Sequence, residues 1–218
     1  MTSKWINKNG KKSCIVFFNG WGMNESILPI NNNMEFDLFM CYNYNGIEDL
    51  NKEEFKQYDN IHLVAWSLGV YAASVAVQNC SLTFVKKIAI NGTMSAIDDS
   101  KGIPKGIFVG TIRGWNDINR DKFNLRMMGN RTYLMKCDDK LSKRSAEDQK
   151  QELEFLFKHI SENDMPEYQW DKVIIGEKDL IFTADNQKNA WENHNIFIEE
   201  KMPHFPFNHL KTWQEIIA

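Results

Sequence analysis

The chain has 218 residues, 43% of them hydrophobic and 25% charged, with a formal net charge of −3, the balance of one soluble globular domain large enough to bury a core. Its first ten residues are polar, no apolar run follows a basic start, and no uncharged stretch is long enough to span a bilayer, so a cytoplasmic protein without a membrane partner is expected. Four scattered cysteines (Cys14, Cys41, Cys80, Cys137) without Cys-x-x-Cys spacing, and five histidines without a His-Glu-x-x-His pattern, speak against a disulfide framework, a metal site or a metal cofactor.

Residues 14–18 form a continuous apolar run of strand length, the pattern of a strand buried on both faces, and it stops at Asn19-Gly20-Trp21-Gly22. Residues 36–42 read as a second strand and 52–58 as a short helix. The apolar run 63–66 ends abruptly at Ser67, after which small residues at helical spacing continue to about residue 79. Residues 85–90 are the next strand, closed by Asn91-Gly92. Strands alternating with helices predict an α/β fold with a mostly parallel sheet flanked by helices.

No buried strand is evident over residues 95–169, which read as a helical lid insertion within a single domain spanning 1–218. Its acidic part, 145–160, places Leu153, Leu156, Phe157 and Ile160 on one helix face. Between positions 105 and 144 ten basic residues stand against four acidic ones, a net +6 inside an acidic chain. The sheet pattern resumes at 172–176. A helix over 184–193, a strand over 195–199 and a helix from about 206 complete the chain.

The junction Ala65-Trp66-Ser67-Leu68-Gly69 raises a serine between strand and helix, where the free N–H groups of a helix start can hold a developing oxyanion. The competing reading is an ordinary helix N-cap at Ser67. Past the first strand, the Asn19–Gly22 turn is placed to supply a second N–H, so Trp21 and Leu68 are the expected oxyanion donors; alternatively Trp21 is a surface aromatic on a glycine turn. Asp179, one short turn beyond the 172–176 strand, is the expected carboxylate, with Glu177 and Asp185 as rivals. His204, stiffened by Pro203 and Pro206, is the expected base, with His209 of the final helix as rival. Ser67, Asp179 and His204 follow the Ser…acid…His order of hydrolases built on such sheets.

The segments Ile15-Val16-Phe17-Phe18-Asn19-Gly20-Trp21-Gly22-Met23-Asn24, Val64-Ala65-Trp66-Ser67-Leu68-Gly69-Val70-Tyr71-Ala72-Ala73 and Pro203-His204-Phe205-Pro206-Phe207 together resemble the BioG-type pimeloyl-[acyl-carrier protein] methyl ester esterases and, more distantly, the BioH type. Asn19 stands where the broader α/β-hydrolase fold usually has histidine, and Ala65 where it usually has glycine. The resemblance implies an α/β-hydrolase that removes the methyl ester from a pimeloyl-acyl-carrier protein in biotin synthesis, through Ser67, Asp179 and His204 and without a cofactor.

Acyl-carrier proteins are strongly acidic, so Arg113, Arg120, Lys122, Arg126 and Arg131 are expected to include the partner contacts, and Phe123, Leu125, Met127 and Met128 to line the acyl path. Nucleic acid is not an expected partner, because the basic residues sit in no recognised module. The oligomeric state is open, with a monomer expected. A general short-chain carboxylesterase or thioesterase, and a non-catalytic binding protein of the same fold, are the alternatives.

Overall fold

The computed structural model describes residues 1–28 and 35–218. Among these, seven strands form one sheet: β1 (Thr2–Asn7), β2 (Ser13–Phe18), β3 (Asp37–Tyr42), β4 (Asn60–Trp66), β5 (Lys86–Ile90), β6 (Lys172–Gly176) and β7 (Ile196–Glu199). Their order is β1-β3-β2-β4-β5-β6-β7, with every neighbouring pair parallel except β1 and β3. The continuous apolar runs of β2 and β4 are explained by their central place, where residues 14–18 and 63–66 are completely buried. Each such Phe or Val contributes about 1.5–3 kcal/mol by leaving water.

Register decides where the chemistry can sit. Phe18 pairs with Ala65, Trp66 with Ile90, and Ile90 with Ile174. The strands β2, β4, β5 and β6 therefore end along one edge of the sheet, and the turns that follow them at Asn19, Ser67, Asn91 and Glu177 line that edge. Helix α1 (Leu68–Val77) starts there and is buried nearly all round, which is why its sequence is small and apolar without a polar stripe. At Gly69 a Cβ would lie 2.5 Å from the carbonyl oxygens of both Phe18 and Asn19, so only glycine lets α1 pass so close to the end of β2.

Between β5 and β6 run α2 (Lys105–Gly114), α3 (Asp117–Met128), α4 (Arg131–Lys136) and α5 (Ala146–Glu162). Asparagine explains how this charged stretch breaks into separate helices. Asn116 caps α3 by accepting from Asn119 N, and Asn130 caps α4 by accepting from Tyr133 N. The helix expected over 145–160 starts on the Ser145 cap and buries Leu153 and Leu156. After β6 come α6 (Ala184–Ala190) and, beyond β7, α7 (Trp213–Ile217).

Three expectations are corrected. The polar N-terminus gave no strand signal, yet β1 pairs along β3. It is an edge strand with few apolar residues, and Trp5 anchors it against Phe39, Phe55 and Tyr58 with ring centroids 5.1–5.8 Å apart. The helix expected at 52–58 is only a 3₁₀ turn, Lys52–Phe55. The last helix starts at Trp213, where Thr212 and Glu215 form a reciprocal capping box, rather than near Pro206. His209 consequently lies in a turn before it. Among the described residues no helix is long and apolar enough to cross a membrane.

Candidate active site

Ser67 holds φ +61° and ψ −134°, a conformation rarely adopted by L-residues, and its side chain makes no capping bond to α1. The N-cap reading therefore fails, and the hydroxyl is left for another partner. The strain is held from outside: Ser67 N donates to Ile90 O at 3.0 Å, and the next strand's Gly92 packs so close that a Cβ there would meet Ser67 O at 2.2 Å.

That partner is His204. Its Nε2 lies 2.9 Å from Ser67 Oγ, and its Nδ1 lies 2.8 Å from Asp179 Oδ2. All three residues are more than nine-tenths buried. The carboxylate of Asp179 is fixed by further donors: Ile181 N at 2.7 Å and Phe182 N at 3.0 Å on Oδ1, and Gln187 Nε2 at 3.1 Å on Oδ2. The rivals are placed elsewhere. Glu177 pairs with Lys188 at 3.0 Å, Asp185 sits in the first turn of α6, and the His209 ring packs on Tyr133.

The backbone of His204 is clamped from three elements. Its carbonyl accepts from Trp66 Nε1 on β4 and from Asn91 Nδ2 after β5, each at 2.9 Å. Asn91 Nδ2 also reaches Pro203 O at 2.9 Å, and Asn91 Oδ1 accepts from Gly176 N at 2.7 Å. Phe205 N donates to Met127 O of α3 at 2.9 Å. The imidazole stacks parallel to Phe182, interplanar angle 11°. Asn91 and Gln187 were not among the residues singled out from sequence. Asn91 is fully buried with φ +45°, of which the sequence shows only the Asn91-Gly92 turn that closes a strand; nothing in the sequence marks Gln187.

Ser67, His204, Trp21 and Leu68 all line a cavity enclosing about 590 Å³ of non-atom space, part of it open to solvent. Its walls are mostly apolar, including Ile103, Phe108, Phe123, Met127 and Leu153, with Arg126 as the charged lining residue. Of the expected acyl-path residues, Phe123 and Met127 line it; Leu125 and Met128 do not, and Met128 is packed into the core. Trp21 is a buried aromatic rather than a surface one. Its Nε1 donates to Gln149 O at 2.7 Å and its ring packs on Trp115 and Phe123. Among the described residues, the backbone N–H groups of Trp21 and Leu68 meet no protein acceptor.

The five basic residues do not share one environment. Arg113, Lys122, Arg126 and Arg131 are exposed, although Lys122 Nζ donates to Asn119 Oδ1 at 3.2 Å. Arg120 is half-buried, tied to Asp117 at 2.9 Å and to Arg144 O at 3.2 Å. Arg144, counted in the basic stretch, is largely buried and neutralised by Asp148 and Glu152, each at 2.6 Å. Among the described residues no group of three or more His, Cys, Asp and Glu side chains is arranged to hold a metal ion. The four cysteines are free thiols, and burial pushes that of Cys14 up to about 12.

A serine on a strained strand–helix turn, facing an imidazole backed by a carboxylate at one edge of a mostly parallel sheet, defines an α/β-hydrolase. The family model described as "Pimeloyl-ACP methyl esterase BioG" matches residues 1–216, and the chain belongs to that family. A crystal structure of BioG from Haemophilus influenzae superposes with a TM-score of 0.88 at 28% identity, covering 100% of both chains. A Haemophilus influenzae protein is 32% identical over 223 residues, 99% of each chain. The malonyl-[acyl-carrier protein] O-methyltransferase of Bacteroides fragilis (strain 638R) is 38% identical over 184 residues; the match takes in 84% of this chain but spans only 37% of that protein. An esterase from Exiguobacterium antarcticum shares the fold, with a TM-score of 0.67 at 17% identity over 94% of this chain and 88% of that one.

Proposed function

We propose that this chain is a serine esterase that hydrolyses the methyl ester of a pimeloyl-acyl-carrier protein. The observation that carries the reading is the unbroken contact Ser67–His204–Asp179 opening onto an apolar cavity, in a chain of the BioG family.

In this reading His204 Nδ1–H donates to Asp179, which fixes the tautomer, and Nε2 accepts the Ser67 proton as Oγ attacks the ester carbonyl. The tetrahedral oxyanion is held by the N–H groups of Trp21 and Leu68. As the C–O bond breaks, Nε2–H protonates the departing methoxide to methanol. Water then gives a proton to His204 and attacks the acyl-serine, and His204 returns the proton to Oγ, so one ester and one water become one acid and one methanol. The apolar walls suit a methylene chain. The exposed Arg113, Lys122, Arg126 and Arg131 suit an acidic carrier, with Arg120 acting mainly within the fold.

The methyl transfer named in the Bacteroides relative is not proposed for this chain, because a relay of serine, imidazole and carboxylate suits acyl transfer. Turnover of the carrier-bound methyl ester compared with that of a free short-chain ester tests the reading. A strong preference for the carrier-bound ester supports it. Equal turnover would indicate a general esterase, and failure of a fluorophosphonate to label Ser67 would indicate a binding protein.

A further inference from the structure

We infer that Gln149 and Glu152, on helix α5, are positioning residues for the Trp21 N–H; this rests on the esterase reading above. The loop from Asn19 to Met23 is tied down group by group. Asn19 N donates to Cys41 O, Gly20 N to Asn19 Oδ1 and Met23 N to Gly20 O. Tyr44 Oη donates to Asn19 O at 2.7 Å. On the far side of Trp21, α5 supplies the remaining partners. Gly22 N donates to Glu152 Oε2 at 3.1 Å, Gly22 O accepts from Gln149 Nε2 at 2.9 Å, and the Trp21 indole donates to Gln149 O at 2.7 Å. Among the described residues, the Trp21 backbone N–H is the N–H of this loop left for an outside acceptor.

Glu152 is completely buried and serves more than one element. Its Oε1 accepts from Tyr44 N at 3.0 Å, and its Oε2 accepts from Arg144 Nη1 at 2.6 Å besides Gly22 N. Arg144 in turn donates to Asn43 Oδ1 at 2.7 Å and to Met23 O at 3.4 Å. Through Tyr44, whose hydroxyl holds Asn19 O, the same carboxylate braces both ends of the loop. Three charge-assisted bonds on one buried carboxylate form a rigid mount. A helix of the inserted segment thus sets the position of a donor on the core sheet.

The chemistry of the two side chains separates positioning from folding. Gln149 Oε1 is buried without a partner, so Gln149→Leu removes an unsatisfied oxygen together with the bond to Gly22 O and leaves the backbone acceptor for Trp21 in place. Glu152→Gln keeps the shape, but its single amide oxygen can serve only one of Gly22 N and Tyr44 N.

The experiment measures kcat and KM on a soluble short-chain ester, with the inhibition constant of a boronic acid that forms a tetrahedral adduct on Ser67, for the parent, Gln149→Leu and Glu152→Gln. Displacement of the donor predicts that Gln149→Leu lowers kcat about tenfold and weakens boronate binding in parallel, with KM and melting temperature little changed, and that Glu152→Gln does more. Values of kcat and boronate affinity for Gln149→Leu within about twofold of the parent would overturn the inference. So would losses in both variants that merely follow the folded fraction. A parent that neither turns over ester nor reacts with a fluorophosphonate overturns the esterase reading itself, and this inference with it.

Discussion

Ser67 Oγ and His204 Nε2 stand 2.9 Å apart although 137 positions separate them in sequence. Two elements meet at that contact: a strained turn that lifts the hydroxyl, and a loop whose carbonyl is held by Trp66, the residue just before that turn, and by Asn91. The Ser67 hydroxyl itself takes no part in holding either one, so the contact can be cut chemically while the fold stands.

Ser67→Gly tests this separation. Glycine relaxes the φ +61° conformation, so stability should rise by about 1 kcal/mol despite the looser unfolded chain, while esterase activity is lost. Chemical denaturation alongside ester turnover checks both halves; a fall in stability would mean that the turn is not strained.

Asp179→Asn should preserve the fold, because the amide oxygen can still accept from Ile181 N and Phe182 N. The amide NH₂ then faces His204 Nδ1 and imposes the wrong tautomer, a change that costs on the order of 10⁴-fold in kcat in a well-studied Ser-His-Asp protease. Burst and steady-state kinetics would show it, and a loss below about tenfold would assign the acid's role elsewhere.

Arg126→Glu should slow turnover of a carrier-bound ester at low salt and leave that of a small free ester nearly unchanged, since Arg126 is exposed beside the cavity. The gap between parent and variant should close as salt rises and screening takes hold. Arg120→Ala should instead lower stability, because its guanidinium bridges Asp117 and the Arg144 carbonyl.

Acid should destabilise the protein before its carboxylates titrate. Burial lowers the pKa of His62, His159 and His194 below 6.5, with Lys86 adding to the effect at His62. The unfolded form of each takes up its proton at a higher pH than the folded form does, so the stability these groups allow is complete above about pH 6.5 and is lost as pH falls from there through their lower folded values. Melting temperatures between pH 7.5 and 5 check this. His62→Phe, which keeps an aromatic ring against Phe36, should flatten the decline.

The parallel core was legible because strands buried on both faces leave unbroken apolar runs, and a serine ending one of them is conspicuous. Asp179 and His204 were legible through their place at strand ends and their order. Edge strand β1 was not, since Trp5 is its main apolar anchor and its pairing lies with a strand more than thirty residues away. Gln149 and Glu152 escaped because they are polar residues on the same face of α5 as Leu153 and Leu156, and only the folded loop reveals what they hold. Gln187 and Asn91 are the same case: their partners are brought together by tertiary structure, which spacing along a chain cannot display.

The most direct measurement is mass spectrometry of a pimeloyl-acyl-carrier protein methyl ester incubated with this protein and with its Ser67→Ala form. The account predicts loss of one methylene mass (ester to acid) with the first and an unchanged carrier with the second. An unchanged carrier in both reactions, or demethylation by both forms, would contradict it.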